Sequence, residues 1–169
     1  MAILVLSLTS VTTFAKDKKP RSLREEVRRQ LVTLPFYGVF DNLAYKIDGD
    51  TVTLYGSVIR PTTKTGAGQR ISRIKGVQKV INNIEVLPLS RFDDDIRINT
   101  LRSISNRGSL YRYFLGANPS IHIVVNRGNV TLEGVVATRG DYNLANIAAN
   151  EVFGSFSVTN NLQIENERR

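Results

Sequence analysis

Apolar and polar residues alternate in a stretch that gives this chain its plan. Leu43, Tyr45 and Ile47 alternate with Ala44 and Lys46, and after Asp48-Gly49-Asp50 the alternation resumes at Val52, Leu54 and Val58. A period of two belongs to a half-buried strand, so the spacing predicts a hairpin that turns at the Asp-Gly-Asp triplet. Gly56 stands at an inward position of the second strand, which suggests a helix packing closely there. Ahead of the hairpin, Leu23, Val27, Leu31 and Leu34 share one helical face, with Arg24, Glu25, Arg28 and Arg29 mainly off it. Ser22 and Glu25 have the spacing of a capping box, and Pro35 stops the helix. Phe36, Tyr37, Val39 and Phe40 make the next loop rich in large apolar groups; they are expected to cover the end of the core, with a partner-contacting rim as the alternative. After the hairpin, Pro61-Thr62-Thr63 breaks the strand and caps a helix over 64–75 that turns Ala67, Ile71 and Ile74 inward. Gly76 ends it, and Val80, Ile84 and Val86 form a third strand. Asn82 shares their parity, so its amide needs a backbone partner or a bulge.

The plan is then written a second time. Val52-Thr53-Leu54 recurs as Val130-Thr131-Leu132, an offset of 78 positions. With no gap, Gly56, Val58, Ala67, Gly76, Val80 and Asn82-Asn83 recur as Gly134, Val136, Ala145, Gly154, Val158 and Asn160-Asn161. A register this long marks an internal repeat. In the second copy Asp93-Asp94-Asp95 suits a helix start, and Ile98, Leu101 and Ser105 give that helix a weak apolar face. Segment 106–119 is longer than its counterpart. Ile121, Ile123 and Val125 make a strand, 126–129 a turn, and Val130, Leu132 and Val136 its partner. A helix over 141–153 carries Tyr142, Ala145, Ala149 and Val152, and Val158, Leu162 and Ile164 close the copy. The expected fold is α+β: two αββαβ modules, each a mixed three-stranded sheet with two helices on one face. The boundaries read as 22–87 and 93–165, joined by a linker at 88–92.

Composition adds a polarity to this plan. The net charge is +8 over 169 residues. Positions 22–87 hold ten Lys or Arg against six acids, whereas 91–165 hold seven of each. The basic surplus lies in the first module and its leader, and it favours anionic partners such as phospholipid headgroups or nucleic acid. A module of about 70 residues has a marginal core, which packing of the copies together would relieve, and the sequence does not decide whether they do so. Residues 1–15 carry no charge and are mostly apolar, too short for a membrane span but suited to a secretion signal cleaved near Ala15, although no Lys or Arg precedes the run. A basic linker at 16–21 follows, and 166–169 forms a polar tail. The absence of cysteine excludes disulfides, thiolate metal sites and a lipid-modified amino terminus.

Catalytic chemistry finds little support. His122 is the single histidine, and it alternates out of phase with Ile121 and Ile123, away from its own core. With no second histidine and no cysteine, a zinc site would need carboxylates from elsewhere. Asp93-Asp94-Asp95 is explained as a helix start and Asp48/Asp50 as a turn, and Asp41 and Asp141 lack a partner at catalytic spacing. Gly66-Ala67-Gly68 lacks the lysine of a phosphate loop. No enzyme activity, no metal and no cofactor are expected.

The repeated Val-Thr-Leu-x-Gly-x-Val at Val52–Val58 and Val130–Val136, followed by a helix, Gly76 or Gly154, and Val-x-Asn-Asn before two spaced apolar residues, resembles the BON domain family. The resemblance runs from Ser22 to Glu165, with two departures: Ser155 follows Gly154, and the loop around Tyr111 to Leu115 is longer than usual. It implies a non-enzymatic periplasmic envelope protein, peripheral to the membrane, that associates with anionic phospholipid and supports envelope integrity or osmotic protection. A protein adaptor docking envelope partners is the alternative, and nucleic acid is disfavoured because no aromatic platform interleaves the first module's basic helix. The motif glycines Gly56, Gly76, Gly134 and Gly154 are structural. For lipid contact, Arg107, Tyr111, Arg112, Tyr113, Phe114 and Leu115 combine interfacial rings with phosphate-binding guanidiniums; the competing reading makes these rings a cap on their own core. Arg70, Arg73 and Lys75 form a secondary basic surface.

Overall fold

The computed structural model describes residues 22–165; the expected signal segment 1–15, the basic linker 16–21 and the tail 166–169 lie outside the described residues. The first module runs α1 (Leu23–Val32), β1 (Asn42–Asp48), β2 (Thr51–Val58), α2 (Pro61–Ser72), β3 (Lys79–Asn82) and β4 (Glu85–Val86). The second runs α3 (Arg91–Ser105), a 3-10 helix (Gly108–Phe114), β5 (Ile121–Asn126), β6 (Asn129–Val136), α4 (Arg139–Asn150), β7 (Ser157–Asn160) and β8 (Gln163–Ile164). From β2 onward the bounds of each element recur at the sequence offset without a one-residue slip. The fold is α+β in two repeated modules.

In each sheet the second strand is central. β2 pairs antiparallel with β1 and parallel with β3 and β4, and β6 does the same with β5, β7 and β8. The single third strand expected from the apolar pattern is two short strands in each copy, with pairing interrupted just after Asn82 and Asn160, the last residues of β3 and β7. Asn82 Nδ2 donates to the Lys64 carbonyl on α2 at 2.9 Å, while its Oδ1 accepts the Ile84 N–H at 3.3 Å. Asn160 repeats the device with the Tyr142 carbonyl at 3.2 Å and the Leu162 N–H at 3.1 Å. One amide thus ties helix to sheet and satisfies the backbone where pairing breaks.

The helices begin where local chemistry allows. The Ser22–Glu25 capping box forms at α1, which buries Val27 and Leu31, and Leu34 is buried just beyond it. α2 starts at Pro61, earlier than the expected 64, because proline is pre-set for the first helical position. α3 starts at Arg91, capped by Ser90. Its inward face differs from the expected Ile98, Leu101 and Ser105. Asp93, Ile96, Arg97, Thr100 and Ile104 are buried, and Ile98 is 41% exposed. Polar members of this face serve backbone partners. Asp93 accepts the Arg127 and Gly128 N–H groups at 2.9 and 2.8 Å, and Arg97 donates to the Val125 carbonyl at 2.6 Å. A search for apolar periodicity passes over such a face.

Two cores result. Val27, Leu31, Val52, Leu54, Ala67 and Ile71 lie in the first, and Ile104, Leu110, Ile123, Leu132 and Ala145 in the second. The modules pack together through the loop after α1. Val39 and Phe40, encoded in the first copy, lie against the second core. The Ile123 N–H donates to the Val39 carbonyl at 2.7 Å, so the loop adds one rung to the β5 edge.

Gly56 and Gly134 require one correction. They have φ of +107° and +122°. A Cβ on Gly56 would lie 2.1 Å from the Asn42 carbonyl oxygen, and one on Gly134 2.0 Å from that of Ser120. The close neighbour is therefore the chain at the start of the edge strand, not a helix. Gly56→Ala and Gly134→Ala should each cost roughly 2–4 kcal/mol in urea unfolding, from overpacking and from a backbone that L-residues avoid. Gly38→Ala, with nothing within 4 Å of its Cβ, is the control expected to stay near wild type.

Candidate functional site

The aromatic segment of the second module divides in two. The 3-10 helix turns Leu110 and Tyr113 inward, with Phe114 packed beside them, and leaves Tyr111 and Leu115 exposed at 55% and 61%. Tyr113 closes the core with a polar tip. Its hydroxyl accepts the Ala137 N–H at 2.8 Å and donates to Asp141 Oδ2 at 3.0 Å. Asp141 also accepts from the Thr138 hydroxyl at 2.6 Å and from Arg112 at 2.9 Å. Burial pushes the Asp141 carboxyl up, but these hydrogen bonds and the Arg112 charge outweigh it and hold the pKa below its usual value. Arg107 is paired with Glu151. Of the six residues expected at lipid, two are turned into the core, both arginines hold internal acids, and Tyr111 and Leu115 face outward.

The junction between modules holds the chain's one histidine. His122 points out of its own core, as its parity requires, and is buried against the first module. Its Nδ1–H donates to the Gly38 carbonyl at 3.2 Å, and Tyr37 stacks beside it with centroids 5.4 Å apart. Burial lowers the His122 pKa, against the opposing pull of the Gly38 carbonyl and the Asp41 and Glu133 charges. Burial also pushes the Tyr37 phenol up to about 12. Asp41 is raised by burial as well, although its carboxylate accepts the Ile59 N–H at 2.8 Å and the Gly38 N–H at 3.0 Å.

The basic residues of the first module are only partly brought together. Arg70 and Arg73 line one groove with Phe36, whereas Lys75 is exposed and outside that lining. Arg70 donates to the Thr33 carbonyl at 3.0 Å. Among the described residues, no three or more His, Asp or Glu side chains are grouped to hold a metal, and no helix is long and apolar enough to cross a membrane.

An exposed apolar patch at one end of the second module is absent from the sequence reading. Phe153 is 98% exposed, Phe156 is 75% exposed, and Phe92 is half exposed. Local geometry fixes the patch. Asp93 pins the Arg127-Gly128 turn, where both residues have positive φ. Gly128 leaves room for the Phe156 ring, since a Cβ there would approach it to 2.7 Å, and the Phe156 N–H donates to the Gly128 carbonyl at 2.8 Å. Phe156 faces Phe92 at 6.0 Å between centroids, and Phe92 lies over Gly154. The turn between α4 and β7 therefore presents its rings from a supported frame. The repeat itself carries the signal that could have found them: Phe153 and Phe156 stand where the first copy has Lys75 and Gln78. A polar-to-aromatic exchange at two equivalent loop positions is not a demand of the fold.

The family model described as BON domain matches residues 21–88 and 109–166, more than half of the chain. The second match begins beyond α3, the helix whose inward face is largely polar. No curated protein matches the chain. Among solved structures, the C-terminal domain of CdsD, described as the structural protein of the Type III secretion system of Chlamydia trachomatis, is 10% identical, with 87% of this chain and 99% of that one covered and a TM-score of 0.32. A second CdsD structure, also from Chlamydia trachomatis, is 10% identical, with 83% and 90% covered and a TM-score of 0.30. Likeness at that level carries no functional argument.

Two outcomes are expected from the polar contacts. Tyr113→Phe should lower stability by roughly 1–3 kcal/mol, because it strips the partner from a buried N–H and from Asp141. Acidification should act through His122. Since its folded pKa is lowered, the unfolded chain takes up the proton first, and stability declines as pH falls below about 6.5. Asp41, with a raised folded pKa, contributes in the opposite sense nearer the carboxyl range. A thermal midpoint followed between about pH 7 and pH 5 should therefore fall less for His122→Gln than for wild type, and equal slopes would contradict the assignment.

Proposed function

The chain belongs to the BON domain family, in two copies, and from that membership we propose that it is a non-enzymatic envelope protein that associates with anionic phospholipid through the apolar patch of its second module. The family is known for phospholipid binding in envelope proteins. One observation carries the assignment to this end of the molecule: exposed Phe156 on the turn between α4 and β7, which also carries Phe153, faces the half-exposed Phe92 of α3. Contiguous exposed apolar surface of this kind marks interaction sites. The net charge of +8 supports a negatively charged surface as the partner. Each Lys or Arg near such a surface contributes about 1 kcal/mol at physiological salt. Shallow insertion of the rings then adds an apolar component that salt does not screen. Tyr111 and Leu115 are a second outward pair that could join the contact. The cellular setting that fits is the periplasm, with a role in envelope integrity or osmotic protection.

Co-sedimentation with phosphatidylglycerol/phosphatidylethanolamine vesicles tests this reading. Phe153→Ser should reduce binding severalfold while leaving the thermal midpoint unchanged, because this side chain is almost fully exposed. Tyr111→Ser with Leu115→Ser measures the loop's share. Vesicle binding unaltered by Phe153→Ser would remove the patch from the mechanism. A wild-type chain that ignores anionic vesicles altogether would favour the protein-adaptor alternative.

A further inference from the structure

β1 is an open edge of the first sheet, since β2 separates it from β3 and β4. It runs for seven residues without proline or a break, whereas the opposite edge is short and interrupted after Asn82. Asp48 and Thr51 face each other across the two-residue turn. Lys46 and Ala44 therefore hold the rungs to β2, and the backbone groups of Tyr45 and Ile47 point away from the sheet. Those N–H and C=O groups meet no partner among the described residues. The side chains beside them are poorly covered as well. Leu43, Tyr45 and Ile47 are half-buried, while their equivalents Ile121, Ile123 and Val125 are 0% exposed. The helices account for the difference: α3 packs along β5, whereas α1 packs on α2. A groove of about 370 Å³ remains between α1 and β1. Its lining includes Arg24, Arg28, Leu31, Val32, Leu43 and Tyr45 and no acidic side chain.

The second module shows what such an edge accepts. Tyr45 corresponds to Ile123, whose N–H donates to the Val39 carbonyl at 2.7 Å while Val39 and Phe40 lie against the second core. An apolar segment from outside the module thus occupies that edge, and none of the described residues does the same for β1. We propose that the β1 edge and its groove bind an extended segment of a partner protein, added as a further strand, in which apolar residues alternate with acidic ones. The open rungs at Tyr45 and Ile47 impose the extended conformation, and side chains of one parity would enter the groove over Leu31, Val32 and Leu43. The acids answer to Arg24 and Arg28, which stand one turn apart on α1, are exposed, and meet no acid among the described residues. The nearby Glu26 is already engaged with Arg29 and Gln30. A lipid tail in the same groove would cover the rungs without pairing them, a cost that a strand avoids. This surface lies on the other module from the lipid patch and does not depend on it.

Three blocked octapeptides titrated against the full chain test the surface: alternating Val-Glu, alternating Val-Lys, and Val-Glu with Pro-Pro at its centre. The Val-Glu peptide should give saturable amide shifts from Leu43 to Ile47 and slow the amide exchange of Tyr45 and Ile47. The other two should bind about tenfold more weakly, because one reverses the charge and the other removes a rung in any register. Arg24→Glu with Arg28→Glu should weaken the Val-Glu peptide by about tenfold at an unchanged thermal midpoint, since both side chains are exposed. Absence of saturable shifts over this strand would overturn the proposal, as would equal binding of the Lys or Pro-Pro peptide. So would wild-type affinity in the double variant. Exchange at Tyr45 that slows with protein concentration alone would place a second copy on the edge instead. Saturation by short-chain phosphatidylglycerol in place of the peptide would make the groove a lipid site, and either result overturns the proposal. Peptide binding is measured without vesicles, so it stands or falls separately from the effect of Phe153→Ser.

Discussion

The buried carboxylate of Asp41 is the contact on which the arrangement of the two modules depends. It accepts the Gly38 N–H and the Ile59 N–H, and so closes the loop between α1 and β1 against the end of β2. That closure aims the intervening residues outward from their own module. Val39 then offers its carbonyl to Ile123, Phe40 packs on the second core, and the Gly38 carbonyl meets His122. Burial makes this carboxylate costly, as its raised pKa shows, and the two backbone donors are what keep it tolerable. A small module has too little core to be robust alone. A loop that lends side chains to its neighbour's core answers this shortage.

The same problem is solved differently in the second copy. The chain leaves β2 at Ile59 and β6 at Ala137, and at both places a backbone N–H faces inward without a ladder partner. Asp41 accepts the first, and the Tyr113 hydroxyl accepts the second. A phenol can also donate, so the second solution needs a further acceptor. Asp141 provides it, with Thr138 and Arg112 completing the cluster. The longer segment before β5 is the means of delivering Tyr113 to that position. Once the long loop is committed to this cap, its two arginines are engaged with acids, and it has less to offer a membrane than its composition suggests.

Element order, the repeat and the strand faces were legible because they rest on periodicity and on glycine and asparagine at fixed offsets. The parity of Asn82 alone called for a backbone partner or a bulge, but the split of the third strand into two was not read from it. What escaped was polar burial. Asp93, Arg97 and Thr100 form a helical face at the right spacing, but the partners of Asp93 and Arg97 are backbone groups of the β5–β6 hairpin, distant in sequence. Gly56 was legible as a tight position and not as a left-handed one, since sequence alone does not distinguish an approaching helix from the chain at the start of the edge strand. The aromatic patch escaped for another reason. Phe153 and Phe156 read as ordinary apolar residues at a helix end until the equivalent Lys75 and Gln78 show that the fold has no need of them there.

Duplication makes such differences interpretable. Positions that keep their chemistry in both copies, such as Gly56/Gly134 and Asn82/Asn160, report what the fold demands. Positions that change report what each copy was free to do. Lys75 to Phe153, Gln78 to Phe156 and Thr63 to Asp141 are all exchanges at the ends of the second helix of a module. At its carboxyl-terminal end the first copy stays polar while the second presents rings. At its amino-terminal end the second copy places the Asp141 carboxylate, whereas the first has Thr63, whose buried hydroxyl has no hydrogen-bond partner among the described residues, and no side-chain cap. The backbone is the same in both, so these contrasts cannot be charged to folding. They leave the first copy with Lys75 and Gln78 where the second exposes Phe153 and Phe156, so the two modules present different surfaces on one frame.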